Sequence, residues 1–388
     1  MKFKLNTIRT NKRTFHLVNE PFKKSFNEVM TEIRNKYAIK MPNRDLIIKS
    51  IISTLVHGDF KYYSMPRMNI SVTRSDIKNF YPTIDKHRLY RKINSSNVLS
   101  QESMVILKQI LLNNKYKGVP LGLPFSNHLA EFYVEYIDNK IQMEINPIVY
   151  FRYVDDIICI KYCDFLEVED RSIYANGIKR SIKEILKSQK LSINKLKTKT
   201  SYYLYDSKQI NKNSDLNFTY LGYNFTTLQE KLVIKISDVK LKKYEKRLNI
   251  LLYDFRKGKR RNIDFWRLYY KLLNELYGIT TVSKMNNKMK SGLAYHYRFI
   301  NNYDNLFHFI KKYKGIILSL GLNSAKTHLL LNLFSDNKEE IFMKKRYDYL
   351  KLTKTQQQKI GNRLQFNPEG LDSKEFARKI FKILYQKT

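Results

Sequence analysis

Residues 148–160 read Ile-Val-Tyr-Phe-Arg-Tyr-Val-Asp-Asp-Ile-Ile-Cys-Ile, an apolar, β-rich run interrupted by two adjacent aspartates. β-Branched and aromatic residues fill 148–154 and 157–160 almost throughout, so each half reads as a buried strand, with Asp155-Asp156 at the hairpin turn between them. Like charges side by side repel, and a cation normally compensates them. Mg²⁺, a hard ion bound by one or two carboxylates plus phosphate oxygens, is the natural choice. An ordinary Asp-containing turn is the alternative reading of the pair alone.

A second acidic position lies upstream in Met68-Asn-Ile-Ser-Val-Thr-Arg-Ser-Asp-Ile-Lys-Asn-Phe-Tyr-Pro-Thr-Ile-Asp85. Here an alternating strand, Ile70-Ser-Val-Thr, delivers Asp76 and is followed by Phe80-Tyr81 and a helix-starting Pro82. Two-metal phosphoryl transfer needs carboxylates from separate strands converging on ions about 3.5–4 Å apart, one activating a 3′-hydroxyl and the other gripping a triphosphate. Asp76 and Asp155 are candidates for that clamp.

With these residues in view, the chain resembles reverse transcriptases. Asp76-Ile-Lys-Asn-Phe-Tyr81 is similar to the first palm motif of that family, Gly118-Val-Pro-Leu-Gly-Leu-Pro-Phe-Ser126 to its dNTP-side loop, and Tyr153-Val-Asp-Asp156 to its catalytic hairpin. Asn194-Lys-Leu-Lys-Thr198 and Phe218-Thr-Tyr-Leu-Gly-Tyr-Asn-Phe225 match two later motifs in the right order. The resemblance covers roughly residues 65–230. It implies an α+β right-hand polymerase: fingers, a ferredoxin-like (split βαβ) antiparallel palm, then an all-helical thumb and accessory region.

The balance of 72 Lys+Arg against 35 Asp+Glu, a formal net charge of +37, runs along the whole chain and implies a polyanionic partner met over a wide surface. Nucleic acid is the economical choice, although Lys, Asn and Ile are all inflated here, as an AT-rich genome alone would produce. With 388 residues, 43% of them hydrophobic, the chain can bury two or three cores without disulfides. Cys159 and Cys163 are too few for a zinc site and read as free thiols in a reducing cytosol. There is no apolar run of membrane-spanning length and no signal-like stretch in Met1-Lys-Phe-Lys-Leu-Asn, so the expectation is a cytoplasmic protein without membrane contact.

Residues 1–68 read as mostly helical fingers, 69–235 as palm with fingers elements, and 236–388 as helical thumb and accessory domain. Helices are expected at 86–115, 127–138 and near 174–190. Basic clusters at Arg256–Arg261, Lys311–Lys314 and Lys344–Arg346 either track a phosphate backbone or are solvated helix faces. Ser291–Arg298, dense in aromatics, either stacks bases or packs between helices.

The resemblance assigns roles residue by residue. Asp76, Asp155 and Asp156 form the metal site for two Mg²⁺ ions, with Mn²⁺ as a substitute, the third ligating less directly. Lys197 protonates the pyrophosphate leaving group. Tyr81 is the steric gate that favours dNTPs, with Phe80 turned to the core. Ile77, Leu121 and Gly122 contact the dNTP, Gly118 and Gly122 by allowing close backbone approach, and Arg44, Lys49 and Arg74 are candidates for the triphosphate. Leu221 and Gly222 form the primer-grip turn. Asp85, Asp138 and Asp164 read as caps and surface charges.

Pro120-Leu-Gly122 stands where many reverse transcriptases have Pro-Gln-Gly, and the chain has neither an Asn-Ala-x-x-His segment nor a Val-Thr-Gly triplet, which argues against retron enzymes. The compact palm with a long helical end looks most like the bacterial antiphage and abortive-infection reverse transcriptases. That group implies a structured non-coding RNA, a DNA product, and a homo-oligomer or a complex with another defence protein, a second reverse transcriptase included. Template-independent or protein-primed synthesis is one alternative; a catalytically idle RNA-binding scaffold is the other.

Overall fold

The computed structural model describes residues 5–10, 13–163, 168–205, 216–283, 287–334 and 339–386. Asp164 lies outside them. The chain divides into two compact units, one of residues 1–221 and 226–232, the other of 222–225 and 233–388.

The first unit opens with a hairpin, β1 (Leu5–Arg9) and β2 (Thr14–Val18), where sequence periodicity suggests helix. Its strands pair from Leu5 opposite Val18 to Arg9 opposite Thr14 and are exposed or half-buried throughout, so no apolar stripe announces them. The helices α1 (Lys23–Lys36) and α2 (Arg44–Leu55) follow where their periodicity places them. Then come β3 (Ile70–Asp76), α3 (Phe80–Thr83), α4 (Lys86–Ser96), α5 (Gln101–Leu111), α6 (Ser126–Ile145), β4 (Val149–Tyr153), β5 (Asp156–Tyr162), α7 (Val168–Ser188) and β6 (Lys199–Tyr203).

The strands β3 to β6 form one antiparallel sheet in the order β4-β5-β3-β6. Helices lie between β3 and β4 and between β5 and β6, which is the split βαβ arrangement. On one face, Val134, Ile137 and Ile141 of α6 and Ile182, Ile185 and Leu186 of α7 share a core with Ile157 and Cys159 of β5.

Central position makes β3 buried almost throughout, despite its alternating sequence. Its hydroxyls therefore need partners. Ser71 meets the Tyr174 hydroxyl at 3.0 Å, and Thr73 and Ser75 meet Thr200 and Thr198 at 2.9 Å each.

Beyond β6 lie β7 (Asn217–Tyr220), β8 (Tyr223–Leu228) and β9 (Lys231–Ile236); the division between units falls in this stretch. The second unit continues with α8 (Asp238–Lys257), α9 (Asn262–Leu276), β10 (Gly278–Val282), β11 (Lys288–Ser291), α10 (Leu293–His296), α11 (Asp304–Leu318), α12 (Ser324–Phe334), α13 (Glu339–Lys344), β12 (Arg346–Asp348), α14 (Lys354–Leu364) and α15 (Ser373–Tyr385). It is thus not wholly helical. A sheet in the order β11-β10-β12 runs through it, and Ile279-Thr-Thr-Val282, buried except for the half-buried Thr280, is its β-branched centre.

Arg256–Arg261 is largely committed within this unit. Arg256 donates to Ser319 Oγ at 2.7 Å, Arg260 to the Leu320 and Gly321 carbonyls, and Arg261 pairs with Asp264 at 3.0 Å. In Ser291–Arg298, Gly292, Leu293, Ala294 and Tyr297 are buried, so packing accounts for most of that segment.

Candidate active site

Three chain segments meet at the end of β3. Asp76 opposes Asp156 in the sheet, and Asp156 also opposes Tyr153, which leaves Val154 and Asp155 as a two-residue hairpin turn. The Ile77 amide donates to the Asp155 carbonyl at 2.9 Å, and the Asn194 amide to the Asp76 carbonyl at 2.7 Å. Strand end, hairpin turn and the segment before β6 are thereby locked together.

Asp76 is only 5% exposed and pairs with Lys197, Nζ to Oδ2, at 2.8 Å. Burial raises the pKa of Asp155, and the neighbouring Asp156 and Asp76 carboxylates add to the rise. The Asp156 Oδ1 is held by Arg74 at 3.0 Å, and its carbonyl accepts from the Tyr220 hydroxyl at 3.0 Å.

A cleft of about 1180 Å³ opens on this junction, lined by Asp76, Ile77, Tyr81, Leu121, Asp155 and Lys197 among others. Phe80 is buried, whereas Tyr81 stands at the cleft with its hydroxyl donating to Asn127 Oδ1 at 2.7 Å. Burial, then the charges of Glu131 and Asp155, push the Tyr81 phenol up to about 12, so it stays a neutral donor.

Several expected residues stand elsewhere. Arg74 does not line the cleft; its guanidinium is taken by Asp156. Arg44 does not line it either and donates to the Leu221 carbonyl at 2.8 Å, while Lys49 is also absent from its wall. Gly122 serves the protein's own backbone: at φ +99 its missing Cβ would lie 2.7 Å from the His16 carbonyl oxygen, and the His16 amide donates to the Leu121 carbonyl at 2.7 Å. Gly118 does the same toward Tyr81 and Pro82.

Leu221 and Gly222 do form a two-residue turn, with φ +45 and +87 as a type I′ hairpin requires. Asp85 caps α4 through the Arg88 amide, as expected. Asp138 is not a surface charge, for it pairs with the buried Arg152 at 2.7 Å.

The cleft's basic lining consists of residues that the sequence motifs do not single out: Arg9 and Arg13 beside the first hairpin turn, Lys78 after β3, and Lys115 and Lys117 in the loop after α5. Lys86 fixes that loop by donating to the Asn113 and Tyr116 carbonyls. A signal existed in Lys115-Tyr-Lys117, directly before the loop expected on the dNTP side; α5 ends at Leu111, short of the expected helix.

Among the described residues no three His, Cys, Asp or Glu side chains gather as a metal-ligating group, and Asp156 is paired with Arg74. Asp76 and Asp155 nevertheless remain an oxygen pair of the kind Mg²⁺ takes when phosphates and water complete its shell. Burial first, and then the neighbouring Asp156 and Asp76 carboxylates, raise the pKa of Asp155; a cation would favour its charged form, and the Lys197 ammonium already sits against Asp76.

Sheet order, crossover helices and carboxylates at the strand ends define the palm of a right-hand polymerase. The sequence matches the reverse transcriptase (RNA-dependent DNA polymerase) family over residues 11–225, more than half of its 388 residues, and the chain belongs to that family. No curated protein matches it. Among solved structures, it is similar to telomerase from Candida albicans in complex with a TWJ fragment of telomeric RNA, at 11% identity and TM-score 0.41 over 84% of this chain and 63% of that one. It is also similar to apo telomerase from Candida tropicalis, at 11% identity and TM-score 0.43 over 99% of this chain and 62% of that one. The chain thus spans less than two thirds of the telomerase chains it matches.

Proposed function

We propose that this chain is an RNA-directed DNA polymerase that transfers deoxynucleotides to a 3′-hydroxyl in the cleft at the end of β3. The observation that carries the reading is the pair of carboxylates, Asp76 and Asp155, delivered by adjacent strands to one basic cleft that also holds Tyr81 and Lys197. Asp76 and Asp155 would hold Mg²⁺ or Mn²⁺, which supplies charge neutralisation and a more acidic primer hydroxyl. Asp156 supports this pair by engaging Arg74. Tyr81 closes the space beside the sugar, and Arg9, Arg13, Lys78, Lys115 and Lys117 attract phosphates. Lys197 is positioned to give its proton to the leaving pyrophosphate once released from Asp76.

The fingers assignment for 1–68, the palm for 69–235 and the thumb for 236–388 belong to the same proposal, as does a role in antiphage defence with a structured RNA. Leu121 supports a specialised enzyme: it lines the cleft and cannot make the hydrogen bond of the glutamine common at this position. The test is dNTP incorporation on a primed RNA template with Mg²⁺. Asp155→Asn and Asp76→Ala should each lose essentially all incorporation while RNA binding persists. Synthesis by either variant near the parent rate would refute the site.

A further inference from the structure

Arg152 is 8% exposed, yet it makes five hydrogen bonds. Its Nε and Nη2 reach the two Asp138 carboxylate oxygens at 2.8 and 2.7 Å, and its Nη1 and Nη2 reach the two Glu131 oxygens at 3.2 and 2.6 Å. Glu131 and Asp138 are seven residues apart on α6, two turns along one face, so a rigid helix presents both acids to one guanidinium. The remaining bond leaves this charge cluster: Nη1 donates to the Val154 carbonyl at 2.9 Å.

Val154 stands at φ +60, the left-handed region, which a β-branched residue disfavours by roughly tenfold or more in population. Such backbone persists only where its surroundings over-determine it. The next residue is Asp155.

We infer that Arg152, clamped by Glu131 and Asp138, is a positioning residue for Asp155: its bond to Val154 holds the hairpin turn in the left-handed conformation that presents the carboxylate to the cleft. A structural ion pair alone would need one carboxylate and no contact with the turn. Lysine carries three donors on a single nitrogen and cannot reproduce the five bonds that the planar guanidinium spreads over Nε, Nη1 and Nη2. The activity arm of the test rests on the polymerase reading above; the exchange arm does not.

Two variants are compared with the intact chain: Arg152→Lys, and the neutral triple Arg152→Met, Glu131→Gln, Asp138→Asn, which leaves no buried charge unpaired. In either, kcat should fall about tenfold or more while KM for dNTP stays within about threefold. Adding Val154→Gly should recover several-fold in kcat in these backgrounds and none in the chain that keeps Arg152, because glycine adopts the left-handed turn freely. An identical effect of Val154→Gly in both backgrounds would overturn the inference.

Independently of activity, amide hydrogen exchange at residues 153–156 should quicken about tenfold in both variants, with β3 and β6 unchanged. Unaltered exchange in the turn would overturn it equally. An intact chain that makes no DNA but shows the exchange effect would sink the polymerase reading and leave the positioning role standing.

Discussion

Replacing Gly118 by alanine tests the link between the loop before α6 and Tyr81, the proposed gate. Gly118 has φ +59, and a Cβ there would lie 2.1 Å from the Tyr81 carbonyl oxygen and 2.6 and 2.7 Å from the Pro82 carbonyl carbon and oxygen. All three are backbone atoms, so no side chain can rotate out of the way. The left-handed backbone costs an L-residue about 1–2 kcal/mol, and the overlap about 1–3 kcal/mol more. Loss of the Val119 amide bond to the Tyr81 carbonyl, 3.0 Å long, adds about 1 kcal/mol. Together these come to about 3–6 kcal/mol, a large share of the ~5–15 kcal/mol that holds a domain folded. The overlap is relieved only if Tyr81–Pro82 moves by about an ångström, and displacement of that size costs on the order of 100-fold in rate. Thermal melting and single-nucleotide incorporation with paired dNTP and rNTP substrates measure the two effects. Gly177 is the control, since a Cβ there meets nothing within 4 Å and alanine within α7 should stabilise by about 0.5–1 kcal/mol. Were Gly118→Ala to melt with the parent and choose between sugars as the parent does, the proposed contact between loop and gate would be wrong.

Tyr81→Ala should admit ribonucleotides, read as a fall in the ratio of dNTP to rNTP incorporation; an unchanged ratio makes the ring part of the core. RNA affinity should fall by orders of magnitude between about 50 and 200 mM salt if six or so phosphates are held. Charge reversal at Arg9, Arg13, Lys115 and Lys117 should flatten that slope, whereas reversal at Arg256, Arg260 and Arg261 should chiefly lower the melting temperature, because those side chains are bonded within the second unit. Burial holds His16 below its ordinary pKa of 6.5, so the folded state binds this proton less tightly than the unfolded chain does. Its share of stability is complete above about pH 6.5 and is lost as pH falls through that value toward the lowered folded pKa. His16→Gln should therefore flatten part of the decline in melting temperature between about pH 7.5 and 5.5, and parallel curves for the two proteins would contradict this.

Local chemistry alone makes the palm legible. The runs around Asp155-Asp156 and before Asp76 are so rich in β-branched and aromatic residues that they read as strands, and the structure finds them as β4, β5 and β3. The amphipathic periodicity of α6 and α7 likewise sets their existence, if not their ends. Phe80 and Tyr81 divide between core and cleft because a short helix, not the strand that alternation assumes, carries them, and neighbouring helix positions point about 100° apart.

The sequence could not say which acid meets which base. Asp155 and Asp156 are neighbours of identical chemistry, yet one faces the cleft and the other is engaged by Arg74, 82 positions away in the chain. By residue type nothing separates Arg44 and Arg74, expected at the triphosphate, from Arg9 and Arg13, which the sequence does not single out. Only packing committed the first pair to protein oxygens and left the second on the cleft wall. Gly118 and Gly122 announced close approach, but their partners are backbone atoms of Tyr81, Pro82 and His16, brought there by strand pairing and loop docking. Secondary structure is written in short-range periodicity, which a sequence displays directly. A site is written in contacts between distant segments, and in a chain with 72 basic residues their identity is fixed only when the folded core decides which charges are buried and paired.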